Sequence, residues 1–310
     1  MPASLRNPFG RHTSGLLLAA AGAMLFSLKG IAMKIAFGLG AGVEQMMALR
    51  MGMSLPFFLW IGWRAAKCRE TKPAPRLILI SAALGVLSYY VCTWLDFTGL
   101  KYISAQLERL ILFLYPTIVA LFARIAYGDK VTWRHAVALV LSYGGVTLLA
   151  LNEFKTAGPD AALGAAIVFI TAILFAFYVT ASKPVIAKLG SPLFIGIAMS
   201  AAAVPILIHS YAISAFETAP LTPAILGAGL FLAIPCTVLP ALMIAEAIAR
   251  VGPGLTSATG GVGPAATALA AALILGEPFG ASQAAALALT VTGVMLLSKP
   301  VALSRRIPRP

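Results

Sequence analysis

The segment AMLFSLKGIAMK, residues 23–34, is matched 149 positions later by AILFAFYVTASK, residues 172–183. In this alignment Phe26 falls on Phe175 and Lys34 falls on Lys183. Shared apolar composition alone would not place a lysine and an aromatic residue in the same register twice. The match indicates an internal duplication, in which the first apolar segment has a partner in the second half of the chain.

A second group of matches has nearly the same offset, 148 residues. In chain order its first-half members are Pro116, Ala120, Leu121, Gly128, Gly145, Val146, Leu148 and Leu149, and their partners are Pro264, Ala268, Leu269, Gly276, Gly293, Val294, Leu296 and Leu297. Asp129 meets Glu277 in the same register, so each half carries a glycine followed by an acid. The duplication therefore extends over most of the chain.

Composition identifies the environment in which these halves fold. Of the 310 residues 60% are hydrophobic and only 11% are charged, with a mean hydropathy of +0.93. A soluble core does not need so many apolar residues, whereas a membrane-spanning helix needs about 20 in succession. The sequence predicts an all-α integral membrane protein with ten transmembrane helices, at residues 14–37, 44–64, 76–98, 103–124, 134–151, 161–183, 191–212, 222–246, 254–275 and 280–298.

Each half then contains five spans, residues 14–151 and 161–298, with short tails at 1–13 and 299–310. Because five is odd, the second half enters the membrane from the side opposite to the first. The sequence thus predicts a 5+5 inverted-topology repeat.

Basic residues predict the orientation. With a cytoplasmic N-terminus, 17 lysines and arginines fall in inside segments and only two, Lys101 and Lys155, in outside segments. This asymmetry predicts that both termini are cytoplasmic. The net charge of +13 is explained by these loops, so we expect no nucleic-acid partner.

Motifs for catalysis or energy transduction are missing from the sequence. It contains no HExxH, GxSxG or Walker pattern, which argues against an enzyme and against an ATP site in this chain. The three cysteines show neither metal-ligand spacing nor a disulfide pattern. We expect no cofactor and no metal.

The duplicated pattern resembles the drug/metabolite transporter superfamily, in particular its ten-helix EamA-type members. The resemblance rests on the 5+5 duplication, on LDFTGLKYISA at residues 95–105, and on proline followed after eleven residues by glycine and an acid, at 116–129 and 264–277. It implies an inner-membrane carrier with a central cavity lined mainly by helices 1, 3, 4, 6, 8 and 9. Among subfamilies the sequence is most similar to bacterial aromatic amino-acid exporters.

Charged residues inside predicted spans are candidates for the site, because burying a charge in hydrocarbon is costly. They are Lys29, Arg50, Glu108 and Arg109. Glu108 is taken as the only acid deep in a span, and we expect it to pair with Lys29 or Arg50, either as a substrate-sensing or gating pair or as an interhelical structural pair. Arg50 is expected to extend to the outer headgroups.

Three further groups complete the candidates. Tyr89, Tyr90, Phe177 and Tyr178 are expected either to line the cavity or to pack between helices. In helix 9, Ser257, Thr259, Gly260 and Gly261 are expected to line the pathway or to form a packing seam. Pro116, Pro235 and Pro264 are expected to act as hinges or to shape the cavity.

The sequence therefore predicts an exporter or facilitator of small metabolites that works by alternating access in the bacterial inner membrane. The resemblance selects amino acids, especially aromatic or apolar ones, as the substrates. A carrier of an organic anion, sugar derivative or nucleobase is an alternative. A membrane enzyme or scaffold without transport activity is another.

Overall fold

The fold is all-helical in a computed structural model that describes residues 8–127, 133–157, 160–213 and 219–298. These residues form α-helices with three short π-helical segments, and no strand occurs among them. The predicted all-α class is confirmed.

The helices of the first half are α1 (Pro8–Ser27), α2 (Lys29–Gly38), α3 (Val43–Lys67), α4 (Pro75–Gly85), the π-segment π1 (Val86–Cys92), α5 (Thr93–Gly99), α6 (Ala105–Leu112), α7 (Tyr115–Tyr127) and α8 (Trp133–Ala157). Those of the second half are α9 (Asp160–Leu189), α10 (Ser191–Ala212), α11 (Pro223–Ala233), π2 (Ile234–Val238), α12 (Leu239–Thr259), α13 (Val262–Ala270), π3 (Ala271–Leu275) and α14 (Ala281–Ser298).

Within the described residues, five helical stretches are long and apolar enough to cross a membrane. They are His12–Gly38, Pro75–Gly99, Asp160–Leu189, Ser191–Ala212 and Pro223–Ile244. Three shorter apolar helices are Ala136–Leu151, Val262–Leu275 and Ala281–Leu296. The remaining predicted spans coincide with α3, which carries Arg50 and Glu44, and with α6 and α7, which are separated by a break.

Prolines account for two of the breaks. Pro116 lacks an N–H, and its ring would clash with the carbonyl of Leu112 in a continuous helix. Accordingly α6 ends at Leu112 and α7 begins at Tyr115. Pro264 stands in the same relation to Gly260, and the chain leaves the helix between α12 and α13 at Gly260 and Gly261.

The π-segments also follow a pattern along the chain. π1 begins at Val86 and π2 at Ile234, a separation of 234 − 86 = 148 residues. Pro235 lies inside π2, where the wider turn accommodates its missing donor. Each of the three predicted hinge prolines thus lies at or beside a helix irregularity.

Between the eighth and ninth predicted spans the structure differs from the sequence-based expectation. We expected a loop near residues 247–253, whereas α12 continues to Thr259. Arg250, which suggested the loop, bonds Glu246 one turn earlier at 2.7 Å and donates to Ser14 Oγ of α1 at 2.8 Å. These partners let the basic residue remain on a continuous helix.

Close helix contacts hold the bundle together where small residues face one another. In the α8–α14 pair, a side chain at Gly145 would meet Thr290 and one at Gly293 would meet Ser142. In the α3–α10 pair, a Cβ on Gly62 would lie 3.2 Å from Gly196 Cα. These close contacts stabilise the helix pairs by dispersion. In a lipid environment the hydrophobic effect does not drive helices together.

Candidate functional site

A buried ion pair lies where the first predicted span is divided into α1 and α2. The turn at Leu28 separates α1 from α2, and Lys29 Nζ lies 2.5 Å from Asp96 Oδ2 of α5. The Ser27 carbonyl beside the break accepts a hydrogen bond from Thr267 Oγ1 of α13 at 3.1 Å. Because Asp96 is only 2% exposed, it is a second buried acid beside Glu108.

Glu108 also lies in this region, near Lys29 as expected but also near a second acid, Asp96. Its side chain is 2% exposed, and a Cβ placed on Gly30 would lie 3.1 Å from its Oε2 atom. Asp96, Lys29 and Arg109 are its charged neighbours. The ion pair at Lys29 is made by Asp96, so the predicted Glu108–Lys29 pair is replaced by a shared cluster.

Two phenylalanine rings lie between the cations of this cluster. Lys29 Nζ is 5.5 Å from the centre of the Phe26 ring and 5.3 Å from that of Phe97. Arg109 Cζ lies 5.6 Å from Phe26, and Arg50 Cζ lies 5.6 Å from Phe97. Cation–π contacts of this kind strengthen when the groups are removed from water. We call Lys29, Arg50, Asp96, Glu108 and Arg109 the charged cluster.

Arg50 is the largest correction to the sequence-based expectation. It was expected to reach the headgroups, but it is 4% exposed and faces the protein interior. Its Nη2 atom donates to Thr93 Oγ1 at 3.3 Å and to the Tyr89 carbonyl at 3.5 Å. It is the eighth residue of α3 and lies on the face that bonds π1 and α5, a rotation that is not apparent from hydropathy.

A group of aromatic residues lies beside the charged cluster. The hydroxyls of Tyr89 and Tyr178 are 3.1 Å apart. Phe175 stacks on Tyr178 at 5.7 Å between ring centres and meets Tyr115 edge-on at 5.1 Å. We call Tyr89, Tyr115, Phe175 and Tyr178 the aromatic cluster. It joins the charged cluster through the Tyr89 carbonyl, which accepts from Arg50, and through Tyr115, which neighbours Arg109.

The other two aromatic candidates lie elsewhere. The Tyr90 hydroxyl is 3.1 Å from His209 Nδ1 of α10. Phe177 is 52% exposed on the outer surface of α9. Each is adjacent in sequence to a cluster member, and successive residues of a helix point about 100° apart.

In the ninth predicted span, residues 254–275, a glycine that packs closely against neighbouring side chains is Gly263, which was not among the candidates. A Cβ on Gly263 would lie 2.7 Å from Ser27 Oγ and 2.8 Å from Arg109 Nη2. Gly260 and Gly261 form the turn before α13, and Thr259 is the last residue of α12. Ser257 is on the helical backbone of α12, but its side chain lies outside the described residues.

Two carboxylates cap the N-terminus of α6. Glu153, at the end of α8, accepts hydrogen bonds from the Ser104 N–H and from Ser104 Oγ, the latter at 2.7 Å. Glu277 accepts from the N–H groups of Ala105 at 2.8 Å and Gln106 at 3.3 Å. Gly276 makes the turn before it with φ +67°, which favours glycine. The Gly-acid motif of the second half thus binds the first half.

Glu153 lies just beyond the fifth predicted span. Burial raises the pKa of its carboxyl, while the hydrogen bonds from Ser104 oppose that effect and nearby Glu277 adds to it. Negative charge at this place is favoured by the α6 N-terminus, where backbone N–H groups lack helical partners. No grouping of three or more His, Cys, Asp or Glu residues suited to a metal occurs in the described part of the chain.

Two long segments of the chain match the same family of known proteins. The sequence model of the EamA-like transporter family matches residues 13–151 and again residues 162–299. The chain belongs to the EamA-like transporter family. Membership in this family makes it a multi-pass membrane transporter with a small-molecule substrate, and not an enzyme.

One curated relative and one solved structure extend this finding. The protein named uncharacterized transporter YcbK of Bacillus subtilis (strain 168) is 26% identical over 291 residues, covering 91% of this chain and 92% of that protein. A crystal structure superimposes with a TM-score of 0.64 at 17% identity, covering 91% of this chain and 97% of the other. The second likeness shows the fold alone.

Sequence reasoning missed Asp96, Tyr115 and Phe175. Asp96 had a usable signal, since it is an acid within the apolar segment 76–98, but it was used only as part of the motif at residues 95–105. Tyr115 carried no signal beyond composition, and Phe175 was recognised only as the partner of Phe26 in the duplication. Their importance depends on which helix faces meet.

Proposed function

We propose that this EamA-like transporter is an inner-membrane exporter or facilitator of amino acids with aromatic or apolar side chains. The observation that supports it most directly is the contact between the charged cluster and the aromatic cluster. An amino-acid zwitterion needs an anionic partner, a cationic partner and an apolar surface. The two clusters offer all three within one buried region.

The charge count favours a substrate with a carboxylate. The charged cluster holds three cations, Lys29, Arg50 and Arg109, and two acids, Asp96 and Glu108. With all five groups ionised it carries one excess positive charge, which is costly away from water. A substrate carboxylate beside the cations would offset this charge locally. The Asp96 Oδ1 and Glu108 Oε1 atoms, which are buried without hydrogen-bond partners, remain available to the ammonium of a zwitterion.

We further propose that the chain is a 5+5 inverted repeat with ten spans and cytoplasmic termini. Support comes from the two separate family matches, and from π1 and π2, which begin 148 residues apart. The α8–α14 contact adds to it: Gly145 meets Thr290 and Gly293 meets Ser142, pairs that exchange under the same offset of 148. Reciprocal contacts of this kind are expected between halves related by a two-fold axis.

Alternating access follows from this arrangement. In the proposed topology the α6 N-terminus lies at the outer end of the membrane. There the second half, through Glu277, holds the first half at Ala105 and Gln106. Outward opening requires these bonds to break, and helix irregularities at Pro116, Pro235 and Pro264 are proposed as the points that bend.

Counterflow in proteoliposomes tests the function. Vesicles loaded with unlabelled amino acid should accumulate the labelled one, and the panel should include aromatic, apolar, charged and small polar amino acids, with and without a pH gradient. We expect the fastest exchange for aromatic or apolar members. Exchange of organic anions, sugars or nucleobases but of no amino acid would overturn the substrate assignment.

Labelling of the naturally exposed Cys68 tests the topology. Cys92 and Cys236 are buried, so a membrane-impermeant thiol reagent should reach only Cys68. We expect labelling in inverted membrane vesicles and none in intact cells, with Cys68→Ser as the control. Labelling in intact cells would reverse the proposed orientation.

A further inference from the structure

We infer that Arg50 is the residue that binds the carboxylate of the transported substrate. This inference rests on the proposed function and names the group that recognises one end of the substrate. It starts from an unusual feature of the molecule, a guanidinium enclosed in the membrane region without an acid bonded to it.

The hydrogen bonds of Arg50 do not satisfy its donors. It has five N–H groups, yet it makes two long bonds, to Thr93 Oγ1 at 3.3 Å and to the Tyr89 carbonyl at 3.5 Å. Its Nε atom is buried without a hydrogen-bond partner. Both acceptors are neutral, so neither supplies the charge that a buried guanidinium requires.

The acid that neighbours Arg50 is bound by another cation. Asp96 directs its Oδ2 atom to Lys29 at 2.5 Å, and Glu108 neighbours Lys29 and Arg109. Among the described residues, no carboxylate lies within 4.0 Å of the Arg50 guanidinium. Arg109 also has a buried Nε atom without a partner, but the acid nearest in charge to it, Glu108, is not held by another ion pair in the described part of the chain. Arg50 is therefore the guanidinium of the charged cluster whose neighbouring acid is already bound by a lysine.

The surroundings fix the orientation of the incoming anion. The guanidinium makes a cation–π contact with the Phe97 ring, with Cζ 5.6 Å from the ring centre. Phe97 is fully buried, so this contact restricts the position of the Arg50 guanidinium. A planar guanidinium presented in this way matches a carboxylate with two parallel hydrogen bonds, which an ammonium cannot do.

The aromatic cluster begins at the same point. The residue whose carbonyl accepts from Arg50 is Tyr89, and its hydroxyl meets Tyr178. A substrate held at Arg50 by its carboxylate would therefore direct its side chain along the rings of Tyr89, Tyr178 and Phe175. Its ammonium would lie towards the acids of the charged cluster.

The test uses phenylalanine, tyrosine and tryptophan, each beside its amide, which keeps the ring and ammonium but lacks the carboxylate. Counterflow is measured in proteoliposomes for the wild type and for Arg50→Gln. We expect the wild type to favour the acids over the amides. Arg50→Gln should lower exchange of the acids roughly 10- to 100-fold, the usual effect of one charge-assisted contact, and leave exchange of the amides within about twofold.

Arg50→Lys and Arg64→Gln are the companion variants. Lysine keeps the positive charge but cannot form two parallel hydrogen bonds with a carboxylate. The amino acids should therefore bind more weakly while remaining preferred over their amides. Arg64 is exposed beside Trp60, and its removal should change neither class of substrate. If Arg50→Gln does not fold, the reduced acid preference of Arg50→Lys carries the test.

Three outcomes would overturn the inference. They are wild-type exchange that is indifferent to the carboxylate, an unchanged acid-to-amide ratio in Arg50→Gln and Arg50→Lys, and a parallel loss of both substrate classes with a lowered melting temperature. The last would make Arg50 a structural residue. Absence of wild-type exchange for every amino acid would instead overturn the proposed function.

Discussion

Helix α6 of the first half and helix α13 of the second half meet at the same place but contribute opposite things. α6 brings Glu108 and Arg109 into the interior, whereas α13 begins after two glycines and brings Gly263. A Cβ on Gly263 would lie 2.8 Å from Arg109 Nη2. One half supplies charged groups, and the other supplies the space that they occupy.

This difference has a physical origin. In the proposed repeat the two copies start with equal side chains, and two facing arginines or glutamates in a low-dielectric interior would repel strongly. At the offset of 148 residues Glu108 and Arg109 correspond to Thr256 and Ser257, so the second half carries no charge at these positions.

The largest expected loss of stability comes from removing one member of the buried Lys29–Asp96 ion pair. Lys29→Gln leaves Asp96 buried without its 2.5 Å partner and should cost about 3–5 kcal/mol of stability, the usual range for one member of a buried pair. Thermal unfolding in detergent measures it. The double variant Lys29→Gln/Asp96→Asn should recover most of the loss, and equal losses in single and double variants would contradict the pairing.

The glycine side of the comparison is tested by Gly263→Ala. The added methyl group meets Ser27 Oγ and Arg109 Nη2, so we expect a loss of about 1–3 kcal/mol by overpacking together with slower transport.

Gly52→Ala is the matched control, because nothing lies within 4 Å of a Cβ at that position of α3. It should be neutral or stabilising by about 0.5–1 kcal/mol. Equal effects of the two alanines would show that Gly263 is not needed for space.

Glu277→Gln tests the contact in which the second half supplies a charge to α6. The amide keeps one acceptor but loses the charge that favours the α6 N-terminus, a change of about 1 kcal/mol. The proposed outer closure should loosen. A cysteine at Gln106, which is 5% exposed, should then react faster with an impermeant reagent in intact cells than the same cysteine beside Glu277. An unchanged rate would separate this contact from closure.

The smallest effect is expected for Glu246→Gln in α12. Its ion pair with Arg250 is one turn apart on the helix and largely exposed, so the change should stay below about 0.5 kcal/mol. A loss as large as that of Lys29→Gln would show that burial is not what separates the two ion pairs.

Part of the site was predictable because its signals are local. Lys29, Glu108 and Arg109 were recognisable as charges within apolar segments, and Tyr89 and Tyr178 as polar aromatics at helix positions that pack between segments. Pro116 and Pro264 predicted irregularities because a missing N–H breaks a helix wherever it stands. These inferences need only a residue and its immediate neighbours.

The sequence by itself determined the membrane environment, the helical class and the positions of the prolines, since apolar length and backbone chemistry act locally. Only the tertiary structure decided that Lys29 pairs with Asp96, 67 residues away, that Arg50 points inward and that Gly263, rather than Gly261, makes room for Arg109. Each of these depends on the rotation of one helix against another. Because a shift of one residue turns a side chain by about 100°, only packing determines which charges meet.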